Sequence, residues 1–447
     1  MQNLLYLEIL ESVSEAGFSL DELVYKTKEL FEEEGMAGFV SLILTLMDEK
    51  LSLDLCRGGA KSEGSWHPPA CCSSPRYEPQ DRRPRRFRTS VGEVRIQWRR
   101  LRCRNCGRSL IPLKEFLGIG SYQSKSNELE RMVVEVVSDQ SYRRSSKHLG
   151  LIGEIPVPKS TLHRWVADSD CDELSWSKRT KFLLADGTGY KRRPVPEQGL
   201  DNRGELRVVL GINRQGDLIP LGAFCGLNWD EIGRRIACLR TDRKKKLGLL
   251  ISDGESGLAE GLAILAREHQ RCHWHLVRDL DYTLNQDQAP KEERDQESKH
   301  LAGILGIELP PGSVEMVQEQ DRKAIAEQIQ NAEQQLEALS QNFLLKGYRR
   351  AANYLNSAKK HLFNYLRFWL KYGILPPRTA SRIERMMREI GRRLKRIAFG
   401  WSEAGAAKMA RIIIKRITST KQWEAYWKKK MRIEGRVVLV YRGVHVK

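Results

Sequence analysis

Apolar side chains recur at helical spacing in the opening stretch, in Leu4-Leu5-x-x-Ile9-Leu10 and again in Leu20-x-x-Leu23-Val24-x-x-Thr27. That period predicts amphipathic helices over residues 1–52, whose plain use is packing or dimerisation. The period then shortens. Val94, Ile96 and Trp98 alternate with polar neighbours, which predicts a strand pair inside residues 53–115. Helical spacing returns at Leu129, Met132 and Val133, in residues 141–149, and in Thr161-Leu162-His163-Arg164-Trp165-Val166. A Gly/Pro break at 153–158 and a capping Ser160 separate the last two. Three short helices over 125–168 predict a helix-turn-helix, with a generic three-helix packing unit as the plainer alternative.

Short continuous apolar runs follow at 182–185, 206–212, 218–225 and 247–251, with a helix at 229–239 and a helix-like segment at 257–267. Such runs read as buried strands. Strand-strand-strand-helix-strand-helix over 180–282 is the order of a ribonuclease H-like sheet, so the expected class is α/β with a mixed sheet. Residues 283–376 lack strand patterning and predict a helical insertion. Pro310-Pro311 opens a Gln- and Glu-rich helix near 314–339, and a more apolar helix covers 348–372 before Gly373 and Pro376-Pro377 stop it. Ile383, Met386, Met387, Ile390, Leu394 and Ile397 share one helix face within 377–415, and a basic, aromatic tail occupies 416–447.

Charge changes this picture. Lys and Arg exceed Asp and Glu by 19, so a polyanion is the expected partner. Apolar runs fall short of the roughly 18 residues a bilayer requires, and Met1 to Glu11 lack a basic leader, so a cytoplasmic, nucleoid-associated protein with no membrane partner is expected. The nine cysteines are odd in number and clustered, which favours metal ligands over disulfides. Cys103-x-x-Cys106-Gly107 is half of a zinc ribbon; Cys71, Cys72 and His67 are the candidates for the other half, and a ribbon standing on packing alone is the alternative. Arg85, Arg86 and Arg88, interleaved with Phe87 and near Trp98, suit a phosphate backbone with base stacking. Lys159, His163 and Arg164 would face a major groove.

The candidate chemistry lies at strand ends. Asp186 follows the run 182–185 and precedes Gly187; Asp253 follows 247–251 and Ser252 and precedes Gly254. Acids so placed sit at a sheet rim, where two carboxylates suit a divalent metal, although each also reads as a turn cap. Cys272-x-x-His275 follows closely. Its spacing suits core packing and hydrogen bonding, or zinc with His269 or His273 added. Arg278 suits a DNA phosphate or an ion pair with Asp279 or Asp281.

Asp186, Asp253, Cys272-x-x-His275, the helical insertion and the Arg-rich Ile383-Glu384 helix together resemble the DDE transposases of the Mutator-like superfamily, bacterial insertion-sequence enzymes included. The segment Gly400-Trp401-Ser402-Glu403-Ala404-Gly405-Ala406 and the N-terminal Cys-rich stretch resemble a bacterial subgroup, and the likeness spans about 55–415. It implies that Asp186, Asp253 and Glu384 hold two Mg²⁺ or Mn²⁺ ions for DNA strand cleavage and strand transfer. It also implies that Cys272, His275 and Arg278 support them. Terminal inverted repeats of double-stranded DNA would be bound through the ribbon and helix-turn-helix, by a homodimer or larger assembly. Ser381 stands where the family has Asn. Ser381-x-x-Glu384 also reads as a capping box, and Glu389 flanks the same apolar face. Two other functions fit the residues: a catalytically inactive, transposase-derived DNA-binding regulator, and a ribonuclease H-type nuclease that cuts without joining.

Overall fold

The computed structural model describes residues 20–57, 66–152, 155–174, 176–199, 201–240, 246–309, 319–396 and 399–432. The Leu4 to Leu10 repeat, the proline-led start of the insertion's long helix, Ile397 and the end of the tail lie outside them. The chain divides into two units, Met1–Asp168 with Trp427–Lys447, and Ser169–Tyr426. No helix among the described residues is long and apolar enough to cross a membrane.

The first unit is built on a hairpin. Strand β1 (Tyr77–Thr89) pairs antiparallel with β2 (Gly92–Cys103), and a two-residue β3 (Ser109–Leu110) pairs only with the end of β2. The arginine-rich segment is therefore a strand, because each of its residues finds a β2 partner. Helix α1 (Leu20–Cys56), kinked at Gly35, lays Val40, Leu44 and Met47 over Phe87, Val94, Ile96 and Trp98. It also completes the free edge of β2. Ser41 Oγ accepts from Arg95 N at 3.1 Å, and Asp48 Oδ2 accepts from Arg99 N at 2.8 Å. Two helical turns at about 1.5 Å per residue nearly match four strand residues, so one helix face reaches both donors. Beyond the short α2 (Pro112–Leu117) come α3 (Asn127–Asp139), α4 (Tyr142–Ile152) and α5 (Lys159–Asp168). Ser126 caps α3 through Leu129 N, and Leu129, Val133, Leu162 and Trp165 are buried. Trp427 is buried as well, and Lys430 pairs with Glu130 at 2.9 Å, so part of the basic tail is bound to its own unit.

The second unit carries a five-stranded sheet in the order β6-β5-β4-β7-β8, made of β4 (Phe182–Lys191), β5 (Arg203–Ile212), β6 (Leu218–Cys225), β7 (Leu247–Ser252) and β8 (Ala266–Arg271). The β4–β5 and β5–β6 pairs are antiparallel; β4–β7 and β7–β8 are parallel. This is a mixed α/β sheet consistent with the ribonuclease H-like class. The helix expected over 257–267 is instead one turn, α7 (Leu258–Gly261), followed by β8. Ala-Arg-Glu-His-Gln-Arg is too polar to read as a strand by itself; pairing along β7 makes it one. Helix α6 (Trp229–Cys238), closed by an Asn228/Glu231 capping box, packs Trp229, Ile232 and Ile236 on one face over Leu183, Val209 and Leu250.

The insertion is helical as expected: α8 (His273–Gln286), α9 (Lys291–Ile304), α10 (Glu319–Leu345), α11 (Arg349–Ala358) and α12 (Asn364–Tyr372). Its last expected helix is two, parted by a 3-10 turn at Lys359–His361. These helices share a core that includes Leu280, Leu336, Phe343, Leu355, Leu366 and Trp369. The chain then returns to the sheet as α13 (Ser381–Leu394), which packs on β4, and α14 (Glu403–Thr418), which packs on β6.

Burial pushes the Asp48 carboxyl up to about 6, against the pull of Arg99. A raised folded-state value means the folded chain binds a proton more tightly than the unfolded one, so stability falls as pH rises from about 4 to 6. Asp48→Asn keeps an acceptor for Arg99 N and removes this dependence. It is expected to stabilise the protein at pH 7 by on the order of 1–2 kcal/mol, the gain vanishing near pH 4. Urea unfolding at the two pH values measures it, and an equal effect at both would sink the account.

Candidate active site

The register of β4 with β7 fixes the first two acids. Leu183 pairs with Leu250 and Leu184 with Ile251, an offset of 67 residues, and the same offset sets Asp186 level with Asp253. Neighbouring strands lie about 4.8 Å apart, so Asp253, the first residue after β7, comes beside Asp186 in the middle of β4. Burial pushes the Asp186 carboxyl up to about 7, and the charges of Asp253, Glu384 and Glu255 push the same way. Glu384 stands in the first turn of α13, which packs against β4. All three sequence-predicted acids thus lie within range of one another's charge. Glu389 instead pairs with Arg392 at 2.9 Å.

The expected capping box at Ser381 is not formed. Ala380 is the N-cap of α13, and Ser381 Oγ bonds Thr379 Oγ1 at 3.1 Å. The N-cap residue is held by Cys272, whose buried Sγ accepts from Ala380 N at 3.2 Å. One turn on, His275 Nδ1 lies 3.6 Å from Glu384 Oε1, and neither atom has a hydrogen-bond partner. Cys272 and His275, three apart, face the same helix as Ala380 and Glu384, four apart. Cys272, His275 and Glu384 offer ligand atoms within 4.8 Å of one another. Burial lowers the His275 pKa, favouring the neutral ring, although Glu384 opposes this. His269 and His273 turn elsewhere: His269 Nε2 meets Ser252 Oγ at 2.9 Å, and His273 Nε2 meets Leu362 O at 2.7 Å. Arg278 pairs with Asp279 at 2.7 Å and lies over Trp274; the Asp279 hydrogen bond raises its pKa, and the charges of Asp253 and Glu384 add to this.

Two residues near the acids escaped the sequence reading. Glu255 accepts from Trp229 Nε1 at 2.8 Å, and its backbone N donates to Asp253 Oδ1 at 3.0 Å. A Cβ at Gly187 would lie 2.6 Å from its carboxylate. Arg271, nearly buried, fills the space beside Gly254 and donates to Tyr354 OH at 3.2 Å. The only local signals were the spacing Asp253-Gly254-Glu255 and a charged residue just before Cys272.

In the first unit, the sulfurs of Cys71, Cys72, Cys103 and Cys106 lie within 4.8 Å of one another. Cys71 to Cys106 is 3.5 Å and Cys72 to Cys103 is 3.8 Å. Four sulfurs about 2.3 Å from a central ion would stand about 3.8 Å apart, whereas a disulfide needs about 2.05 Å. Gly107, at φ 73, closes the knuckle with its N on Cys103 O. Backbone N–H groups of Cys106 and Arg76 lower the Cys103 thiol to about 6. His67 is exposed and stands outside the group, since adjacent Cys71 and Cys72 both turn inward.

The basic candidates separate. Arg85 donates to Gln123 O at 2.6 Å and lies over Phe87 and Trp98, so its head is bound to its own unit. Arg86 is exposed, with Glu93 3.9 Å away; Arg88 is half-buried. Lys159, His163 and Arg164 are exposed on α5, with the His163 ring edge-on to Tyr142.

No protein-family model matches the chain, and no curated protein matches it. Among solved structures it is similar to the Drosophila P element transposase strand transfer complex, at 11% identity and a TM-score of 0.39, over 65% of this chain and 92% of that one. A likeness so low carries no weight for function, which rests on the geometry above.

Gly254 has φ +88, and a Cβ there would fall 0.6 Å from Arg271 Nη1. Gly257 has φ +75 in open space. Gly257→Ala is expected to destabilise by about 1 kcal/mol through backbone strain alone, and Gly254→Ala by about 3 kcal/mol or more because Arg271 must also move. Equal losses in chemical denaturation would remove Arg271 from this account.

Proposed function

We propose that the chain is a transposase: it binds the ends of a mobile element and cleaves and rejoins DNA strands with Asp186, Asp253 and Glu384. The observation that carries the reading is the gathering of these three acids, from the middle of β4, the residue after β7 and a distant helix, where the β4–β7 pairing ends. Hard carboxylate oxygens suit Mg²⁺ or Mn²⁺. The crowding fits such ions, since burial and the neighbouring carboxylates hold Asp186 near 7, and among the described residues the buried Glu384 Oε1 lacks a hydrogen-bond partner. When bound, the ions supply Lewis acidity and ready deprotonation of an attacking hydroxyl. The protein's own part is positional. Cys272 anchors the start of α13, neutral His275 faces and orients Glu384, and Gly187 leaves room for Glu255.

In this reading the four cysteines hold a zinc ion that braces the ribbon. Arg86, Lys159, His163 and Arg164 contact double-stranded DNA, with α3 to α5 acting as a helix-turn-helix. Arg85 serves the ribbon's own packing. Pairing two element ends calls for a dimer or larger assembly.

Two measurements test this. On DNA flanking the gene, Asp253→Ala is expected to retain binding in a gel shift and to lose Mg²⁺-dependent cleavage by about a thousandfold or more. Mg²⁺ is expected to raise the melting temperature of the wild type but not of Asp253→Ala. Undiminished cleavage by the variant would refute the assignment. For the ribbon, elemental analysis of the purified protein should find one zinc per chain, absent in Cys103→Ser; a zinc-free wild type with an unchanged melting temperature after added zinc would exclude it.

A further inference from the structure

A cavity of about 630 Å³ opens in the second unit at the end of the sheet opposite the acids. Lys181 and Phe182 at the start of β4, and Leu247 and Gly248 at the start of β7, line it. Phe182 precedes Asp186 by four residues and Leu247 precedes Asp253 by six, roughly 13 and 20 Å of strand, so this is a separate site.

Its walls combine two kinds of group. Lys178, Lys181, Arg214, Arg240, Lys246 and Arg267 line it, and among the described residues no Asp or Glu does. Among the described residues, Lys178, Lys181, Arg214, Lys246 and Arg267 form no ion pair, although this chain pairs many of its other surface charges. Five such cations gathered together repel one another, a cost that a bound anion offsets. The remaining wall is aromatic. Arg240 lies over the Trp176 ring at 5.0 Å, and Arg267 over Tyr372 at 6.0 Å. Gly248 keeps the floor low, since a Cβ there would lie 2.8 Å from the Phe368 ring. Thr180, 3% exposed, lines the same cavity with a hydroxyl that has no hydrogen-bond partner among the described residues.

Volume narrows the ligand. Small-molecule sites run about 300–1,000 Å³, whereas a duplex is far too wide to enter such a space. Cations beside aromatic faces suit a ligand that is phosphate at one end and a flat ring at the other. We propose that this cavity binds a nucleotide, its phosphate among Lys178, Lys181, Arg214, Lys246 and Arg267 and its base against Trp176 and Tyr372. The nucleotide is either free or one unit of a single strand; the chemistry of recognition is the same.

Calorimetric titration of the full chain in EDTA at physiological salt separates these sources, with ATP, inorganic triphosphate and a short oligothymidylate as probes. Without metal, the site of Asp186, Asp253 and Glu384 repels phosphate, so a failure of the transposase reading leaves this result intact. Lys178→Glu with Lys181→Glu is expected to weaken nucleotide binding by about tenfold or more. Trp176→Ala is expected to weaken it while leaving triphosphate unchanged. These effects on ATP identify a free nucleotide. The same effects on oligothymidylate, without ATP binding, identify a strand. Because other basic surfaces also hold oligonucleotide, the wild-type-to-variant difference is the quantity read. A milder Lys178→Ala with Lys181→Ala, checked by thermal melting, guards against misfolding. Nucleotide affinities untouched by the charge changes, or triphosphate bound as tightly as ATP, would overturn the proposal.

Discussion

Mutual repulsion among Asp186, Asp253 and Glu384 is the constraint around which the second unit is arranged. Two unit charges about 5 Å apart at a partly buried site repel by on the order of 3 kcal/mol, before any penalty for burial. Left to itself the chain would spread these groups. Several features prevent it. The parallel register of β4 and β7 holds two of them level. The Cys272 sulfur grips the start of α13, and His275 stands against Glu384. Glycines at 187 and 254 leave room for the charged side chains beside them.

The two donor clusters differ in kind, and the difference follows from where each sits. Carboxylates at the rim of a sheet present hard oxygens; thiols drawn together by a hairpin and a knuckle present soft sulfur, so the two would select different ions. The hairpin also needs support that its own short third strand does not supply. Helix α1 provides it through Ser41 and Asp48, which satisfy backbone donors along β2 that would otherwise lack partners.

Charge is segregated along the central sheet. Acids gather where β7 finishes, beside the middle of β4, and cations that form no ion pair among the described residues crowd the end where both strands begin. Open α/β sheets usually receive ligands at the carboxyl ends of their strands. A basic, aromatic-walled cavity at the other end is therefore more informative than the same residues scattered over a surface, and the overall excess of basic residues does not by itself account for it.

Much of this was legible in the sequence. Apolar runs and their spacing marked four of the five core strands, the helical insertion and the apolar face of α13, because burial demands those patterns wherever the segment ends up. Asp186 and Asp253 stood out as acids before glycine after apolar runs, although β4 continues past Asp186 to Lys191, because β5 pairs with it that far. Other features had no local signature. Strand β8 exists because β7 lies beside it, not because its polar residues prefer extension. The arginine-rich segment is ordered by its partner strand, and Arg85 turned inward onto Phe87 and Trp98. Ser381-x-x-Glu384 reads as a cap in one dimension, yet Ala380 is the N-cap, and a sulfur more than a hundred residues earlier takes its N–H. Which glutamate joins the aspartates, which thiols face one another, and where the unpaired cations gather were likewise decided in three dimensions. Local preference selects strands and helices, but only the meeting of distant side chains determines which charges must be neighbours.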